Sequence, residues 1–199
     1  MEFLLSIDAR LFLILNRGAA NPVLDTIMPF ITDSDNWIIP MVIIWLLLII
    51  FGGKKGRTAA ILLIFIITLS DQLTSSVIKP LVGRIRPCYA LENARLIIHQ
   101  AHSKSFPSSH AANMAAAAAL FSTYYSKYKW IFISLAVLVA YSRIYVGVHY
   151  PGDVLAGALL GVLSTVIILQ LKKLIIPIWN KKIKPFYESW KDKHAKKNQ

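Results

Sequence analysis

The sequence predicts an all-α integral membrane protein, a bundle of five to six transmembrane helices with an interfacial N-terminal region. Three observations carry that expectation. Hydrophobic residues make up 56% of the 199-residue chain and its mean hydropathy is +0.55, too apolar for an ordinary soluble domain of this length. The apolar residues gather into five runs, each near the roughly 20 residues a membrane helix needs. Finally, the 22 Lys and Arg residues cluster beside those runs, so the net charge of +12 speaks for a membrane surface and against nucleic acid.

Residues 3–31 mix apolar positions with Asp8, Arg10, Asn16, Arg17, Gly18, Asn21 and Pro22. This pattern predicts interfacial or re-entrant helices in an N-terminal region 1–35, with a sixth span as the alternative. The stretch lacks a basic leader, so no cleaved signal is expected. Trp37–Phe51 is the first span, and Ser34 or Asp35 stands where a helix cap is expected. Thr58–Ile78, Ala111–Tyr125, Trp130–Val148 and Val154–Ile176 follow, giving a transmembrane core over 36–176. Ala115–Ala119 in the third span suits close helix packing. Residues 177–199 form a basic tail mixing Trp179, Phe186, Tyr187 and Trp190 with lysines, suited to anionic headgroups or to plain solvation. The whole chain reads as one membrane domain. Cys88 is the only cysteine, which excludes an intramolecular disulfide.

With five spans, the 79–107 connection, the turn near 143–153 and the N-terminal region share one face of the membrane. The opposite face receives Lys54, Lys55, Arg57, Lys127, Lys129 and the nine lysines from Lys172 to Lys197, 14 of the 22 basic residues but only two of the ten acidic ones. By the positive-inside rule that face, with the C-terminus, is cytoplasmic, and the other is periplasmic or external.

Three polar strings meet on that other face: Lys79 to Arg86-Pro87, then Pro107-Ser108-Ser109-His110, then Ser142-Arg143 to His149 and Asp153. A phosphate ester repels nucleophiles through its own oxygens, so a site without metal must bring cations and N–H donors to them. Lys79, Arg86 and Arg143 are such cations, and arginine's planar fork matches two phosphate oxygens. Ser108 and Ser109 precede an apolar run, where backbone N–H groups open a helix toward anions. His149 and Asp153 are four apart with Pro151 between them, a residue that commonly opens a helix. On one first turn, the carboxylate can hold one ring nitrogen and leave the other to attack phosphorus. His110, from another helix, can protonate the leaving oxygen and then activate water. Singly, each residue has a bland reading as a snorkelling arginine, a structural histidine or a cap; together on one membrane face they point to an enzyme acting on a phosphorylated lipid.

These strings resemble the type-2 phosphatidate phosphatase superfamily of membrane lipid phosphatases. Its pattern is a lysine separated by six residues from Arg-Pro, then Pro-Ser-Gly-His, then Ser-Arg separated by five residues from His, which three more separate from Asp. Lys79 to Arg86-Pro87 and Ser142-Arg143 to Asp153 match it, whereas Ser109 replaces the glycine. The resemblance implies metal-independent hydrolysis through a phosphohistidine with no cofactor. It casts His149 as nucleophile, Asp153 as the residue orienting it and His110 as acid/base, with Lys79, Arg86, Ser108, Ser109 and Arg143 on the phosphate. It also implies a bacterial inner-membrane enzyme whose substrate is undecaprenyl diphosphate, lipid A 1-phosphate, phosphatidylglycerophosphate or phosphatidate. The alternatives are a phosphotransferase using the same phosphohistidine and a lipid-phosphate transporter or binding protein.

Asp71, Ser75 and Lys79 are spaced by four along one helical flank. They suit a substrate headgroup surface, support for Lys79 or interhelical hydrogen bonding, the last being favoured. His99 and His102 lack the partners of a zinc site and read as loop residues. Arg95–Ile98 suits a dip into the interface, a lid or simple packing.

Overall fold

The computed structural model describes residues 2–99, 102–179, 181 and 185. Those residues form helices and connections, with no strand among them. The chain divides into two compact units, 1–165 and 166–199, and all three polar strings belong to the first. Apart from 177–179, 181 and 185, the predicted basic tail lies outside the described residues.

The N-terminal region is two helices, α1 (Glu2–Arg17) and α2 (Pro22–Thr32). Pro22 opens α2, and the Asn21 side chain caps it by accepting from the Leu24 N–H at 2.9 Å. The next helix, α3 (Asp35–Phe51), is bent 53° from α2, as in a broken span or a re-entrant segment. None of its residues is fully buried; Trp45 donates to the Ala60 carbonyl at 3.0 Å, and most of the other apolar side chains face outward, where lipid suits them. The expectation that Ser34 or Asp35 caps this helix is not met. Ser34 has helical backbone angles and makes no side-chain cap, because its hydroxyl is engaged with His110 instead.

A long helix, α4 (Gly53–Asp71), continues through a π-helical stretch, Gln72–Ile78, into α5 (Lys79–Val82). Thr74 sits in the break, its hydroxyl bonded to the carbonyls of Ser70 and Asp71, and so competes with the backbone ladder. Lys79 is therefore on a helix and not in a loop. Gly83, at φ +63°, ends it in a conformation open to glycine. After the short α6 (Pro87–Ala90), the chain crosses to α7 (Ser109–Tyr124), capped by Ser108. Helices α8 (Lys129–Tyr145) and α9 (Pro151–Ile178) complete the fold.

Small residues set how α7 meets the start of α9. A Cβ on Gly161 would fall 2.0 Å from the Ala112 carbonyl oxygen, and one on Gly157 2.3 Å from that of Ser108. Thr165 adds a hydrogen bond to the Ala116 carbonyl at 3.0 Å, so the alanine run does serve close packing. The α3–α4 and α7–α8 connections share one end of the unit, where the Lys55 ammonium lies 4.8 Å from the centre of the Tyr125 ring. The polar strings occupy the opposite ends of α4, α7 and α8.

By length and composition, Gly53–Ala90 and Pro151–Ile178 can each cross a bilayer, and the bent α2–α3 pair makes a third crossing if it is one span. Helices α7 and α8, at 16 and 17 residues, are shorter than a typical crossing. The Arg95–Ile98 segment packs inward. Arg95 pairs with Asp25 at 2.7 Å, and the Ile97 N–H donates to the Val146 carbonyl at 3.4 Å.

Candidate active site

The three strings are joined pairwise by hydrogen bonds. Arg86 of the first lies 3.2 Å from His149 of the third; Lys79 of the first donates to Ser109 of the second at 3.3 Å; and the Ser108 N–H of the second donates to the Asp153 carbonyl of the third at 3.0 Å. Segments far apart in sequence thus converge on one polar centre. Arg86, Arg143, His149 and Asp153 are all buried there, along with Ser108.

His149 stands in the short connection between α8 and α9. Below it, Val148 and Tyr150 point into apolar clusters built on Met28 and Tyr145 and on Phe12 and Ile144 respectively. Gly147, at φ +94°, makes the turn, and a Cβ there would meet the Arg95 carbonyl oxygen at 2.0 Å. The Arg86 Nη1 near His149 Nε2 also donates to the Val148 carbonyl at 2.9 Å. A guanidinium only donates, so Nε2 must present its lone pair, and the ring proton belongs on Nδ1. That nitrogen is buried 3.5 Å from Asp153 Oδ2 and has no hydrogen bond of good geometry among the described residues. Burial first, then the charges of Arg143, Arg86 and Lys79, hold the His149 imidazole well below its ordinary pKa, so it is neutral.

Asp153 is held from every side. Its Oδ2 accepts the Tyr150 N–H at 3.0 Å and its Oδ1 accepts Arg84 Nη1 at 2.7 Å. Arg84 extends its other Nη to Asp8 of α1 at 2.7 Å and stacks 3.7 Å from the centre of the Tyr150 ring. Asp8 in turn accepts the Gly152 N–H at the start of α9. Neither Asp8 nor Arg84 was singled out in the sequence. The available signal was the other arginine of the first string, two residues before Arg86.

On the other side of the centre lies a cavity of about 540 Å³, lined among others by Phe30, Thr32, Ser34, Ile98, His99, His110 and Arg143. Arg143 Nη1 donates to the Thr32 hydroxyl at 2.6 Å, and its buried Nε has no partner among the described residues, leaving a donor for an incoming oxygen. His110 Nε2 is 3.0 Å from the Ser34 hydroxyl. His99, read as a loop residue, lines this cavity, and His102 stacks on Tyr89 with ring centres 4.1 Å apart. Ser108 is committed through its N–H and as a cap acceptor, while its O–H proton remains available as a donor. Its hydroxyl caps α7 by accepting from the Ala111 N–H, and its own N–H goes to Asp153, which leaves the N–H groups of Ser109 and His110 to open the helix.

The sequence profile of the PAP2 superfamily matches residues 59–176, a stretch that contains all three strings. The chain belongs to the PAP2 superfamily. It is 36% identical over 171 residues to a lipid A 4'-phosphatase of Bacteroides thetaiotaomicron, an alignment covering 81% of this chain and 75% of that one. The fold is similar to that of LpxE from Aquifex aeolicus, with a TM-score of 0.68 and 31% identity over 81% of this chain and 93% of that one. It is equally similar to a transmembrane PAP2-type phosphatidylglycerolphosphate phosphatase from Bacillus subtilis, with a TM-score of 0.69 and 27% identity over 88% and 89% of the two chains. This PAP2 protein is thus an integral membrane enzyme of a phosphatase family whose relatives are named as lipid phosphatases.

Proposed function

We propose that this PAP2 enzyme hydrolyses a phosphate from a membrane lipid phosphate or diphosphate, without metal, through a phosphohistidine on His149. The observation that carries the reading is the pairwise joining of the three strings, which sets a neutral imidazole lone pair against a buried guanidinium. Arg86, Arg143 and Lys79 would surround the phosphate oxygens, and the N–H groups of Ser109 and His110 at the mouth of α7 would add donors. Ser108 acts by fixing that mouth.

In the first step His149 Nε2 attacks phosphorus while the bond to the lipid oxygen breaks and His110, its pKa pushed down to about 3 by burial and the neighbouring cations, gives that oxygen the proton it takes up as the anionic phosphate enters. Charge that develops on the imidazole is taken up by Asp153, which closes the 3.5 Å gap to Nδ1 as the ring becomes cationic. In the second step His110 takes a proton from water, the water oxygen attacks phosphorus, the N–P bond breaks, and inorganic phosphate leaves.

The enzyme is read as a five-span protein in which α7 and α8 also cross, with Lys54, Lys55, Lys127 and Lys129 on the cytoplasmic side and the site on the periplasmic or external side. The substrate is sought among bacterial envelope lipids. Lipid A phosphorylated at position 4' or 1, undecaprenyl diphosphate, phosphatidylglycerophosphate and phosphatidate form the panel. The test is phosphate release by the detergent-purified protein in excess chelator, wild type against His149→Ala. Release that the variant abolishes supports the reading, and release that survives His149→Ala refutes it. Transfer of phosphate to a second lipid with little free phosphate would favour a phosphotransferase.

A further inference from the structure

Four polar side chains run in a line from the α4 break to the mouth of α7. Lys79 Nζ lies 3.3 Å from Ser109 Oγ, Ser109 Oγ lies 2.9 Å from Ser75 Oγ, and Ser75 Oγ lies 3.2 Å from Asp71 Oδ1. The direction of each bond follows from donor chemistry. An ionised carboxylate only accepts, so the single Ser75 proton goes to Asp71. The contact between the serines must then use the proton of Ser109. An ammonium only donates, so the Ser109 oxygen accepts from Lys79. The chain is polarised one way, from a cation to a carboxylate, and every bond in it strengthens its neighbour. Within it, the Ser109 hydroxyl has no proton to give to a phosphate.

We propose that Ser109, oriented by Ser75 and Asp71, is a latch that holds Lys79 in the empty site and that an entering phosphate must draw Lys79 away from it. The proposal rests on the reading of this centre as a phosphate site. Ser75 and Asp71 are positioning residues, because they act on the phosphate only through Ser109 and Lys79. The π-helical stretch Gln72–Ile78 carries Ser75, and with it the middle of the chain. A glycine at 109 would lack the hydroxyl on which the latch depends.

The latch and a phosphate-donating Ser109 predict opposite signs. Inorganic phosphate binding to the full-length protein in detergent, measured by calorimetry, reads the sign directly and does not depend on turnover. Removing the latch with Ser109→Ala should tighten phosphate binding by about fivefold, the worth of one net hydrogen bond. Ser75→Ala should tighten it in the same direction, Ser75→Thr should restore the wild-type affinity, and the Ser75→Ala/Ser109→Ala double variant should match Ser109→Ala alone. In a Lys79→Met background, Ser109→Ala should have no effect. Weakened or unchanged phosphate binding in Ser109→Ala would overturn the latch, as would tightening that persists without Lys79. Wild-type protein that neither binds phosphate nor releases it from any lipid would instead overturn the phosphate-site reading beneath it.

Discussion

Replacing Arg84 by methionine keeps an apolar stem over the Tyr150 ring and removes only the guanidinium that bridges Asp8 and Asp153. Asp153 is fully buried and Arg84 is 16% exposed, so the change leaves a buried carboxylate without its cation. Breaking such a pair from one side costs about 3–5 kcal/mol, which for a chain of this length lowers the melting temperature by roughly 6–12 °C at the lower figure. Asp8→Asn is the informative contrast. It keeps an acceptor for the Gly152 N–H and leaves the Arg84–Asp153 pair intact, so its cost is about 1 kcal/mol, or roughly 2–4 °C. The functional expectation differs in kind from the stability one. Both Nη groups of Arg84 are spent on carboxylates, so it does not hold phosphate, and its loss should lower kcat by freeing Asp153 to turn from His149 while leaving KM near wild type. Thermal unfolding in detergent and steady-state phosphate release check both halves. An Arg84→Met protein that melts within about 2 °C of wild type with unchanged kcat would show that the Arg84 bridge does not hold Asp153, as would an Asp8→Asn protein equally destabilised.

Three further outcomes are expected. The His149 imidazole is held below its ordinary pKa, so it takes up its proton only at lower pH. The acid limb of kcat/KM assigned to it should therefore fall below about 6.5, and a limb above that value would contradict its environment. Thr32→Val removes the 2.6 Å acceptor of Arg143 and should lower kcat/KM by about tenfold, with Thr32→Ser restoring it; equal loss in both variants would argue for packing and not for the hydroxyl. Gly147→Ala drives a Cβ into the Arg95 carbonyl at the turn that carries His149 and should abolish accumulation of folded protein. Gly83→Ala also has positive φ but meets open space and should cost only about 1–2 kcal/mol, so similar behaviour of the two by size-exclusion chromatography would be unexpected.

The helical class and the charged residues of the centre were legible because both are written in local pattern. Apolar runs of membrane length read as helices, and Lys79, Arg86, Arg143, His149 and Asp153 stand at fixed spacings beside them. What the pattern does not carry is the identity of their partners, since a guanidinium has the same five donors whichever acceptor the fold supplies. Thr32 and Ser34 reach Arg143 and His110 from the bend between α2 and α3, Asp8 reaches Arg84 from α1, and Asn16 ties Arg95 to the end of α8. All four come from the N-terminal region, which reads as amphipathic anchoring because its polar residues are scattered among apolar ones. Once placed, they explain why that region is polar: a buried cation or imidazole requires a partner, and the first 35 residues supply it. Ser109 belongs to the same argument. Taken alone it is a departure from a motif, whereas the shift in helical register at Gln72–Ile78, invisible to a period-based reading, brings Ser75 against it and gives its hydroxyl a direction.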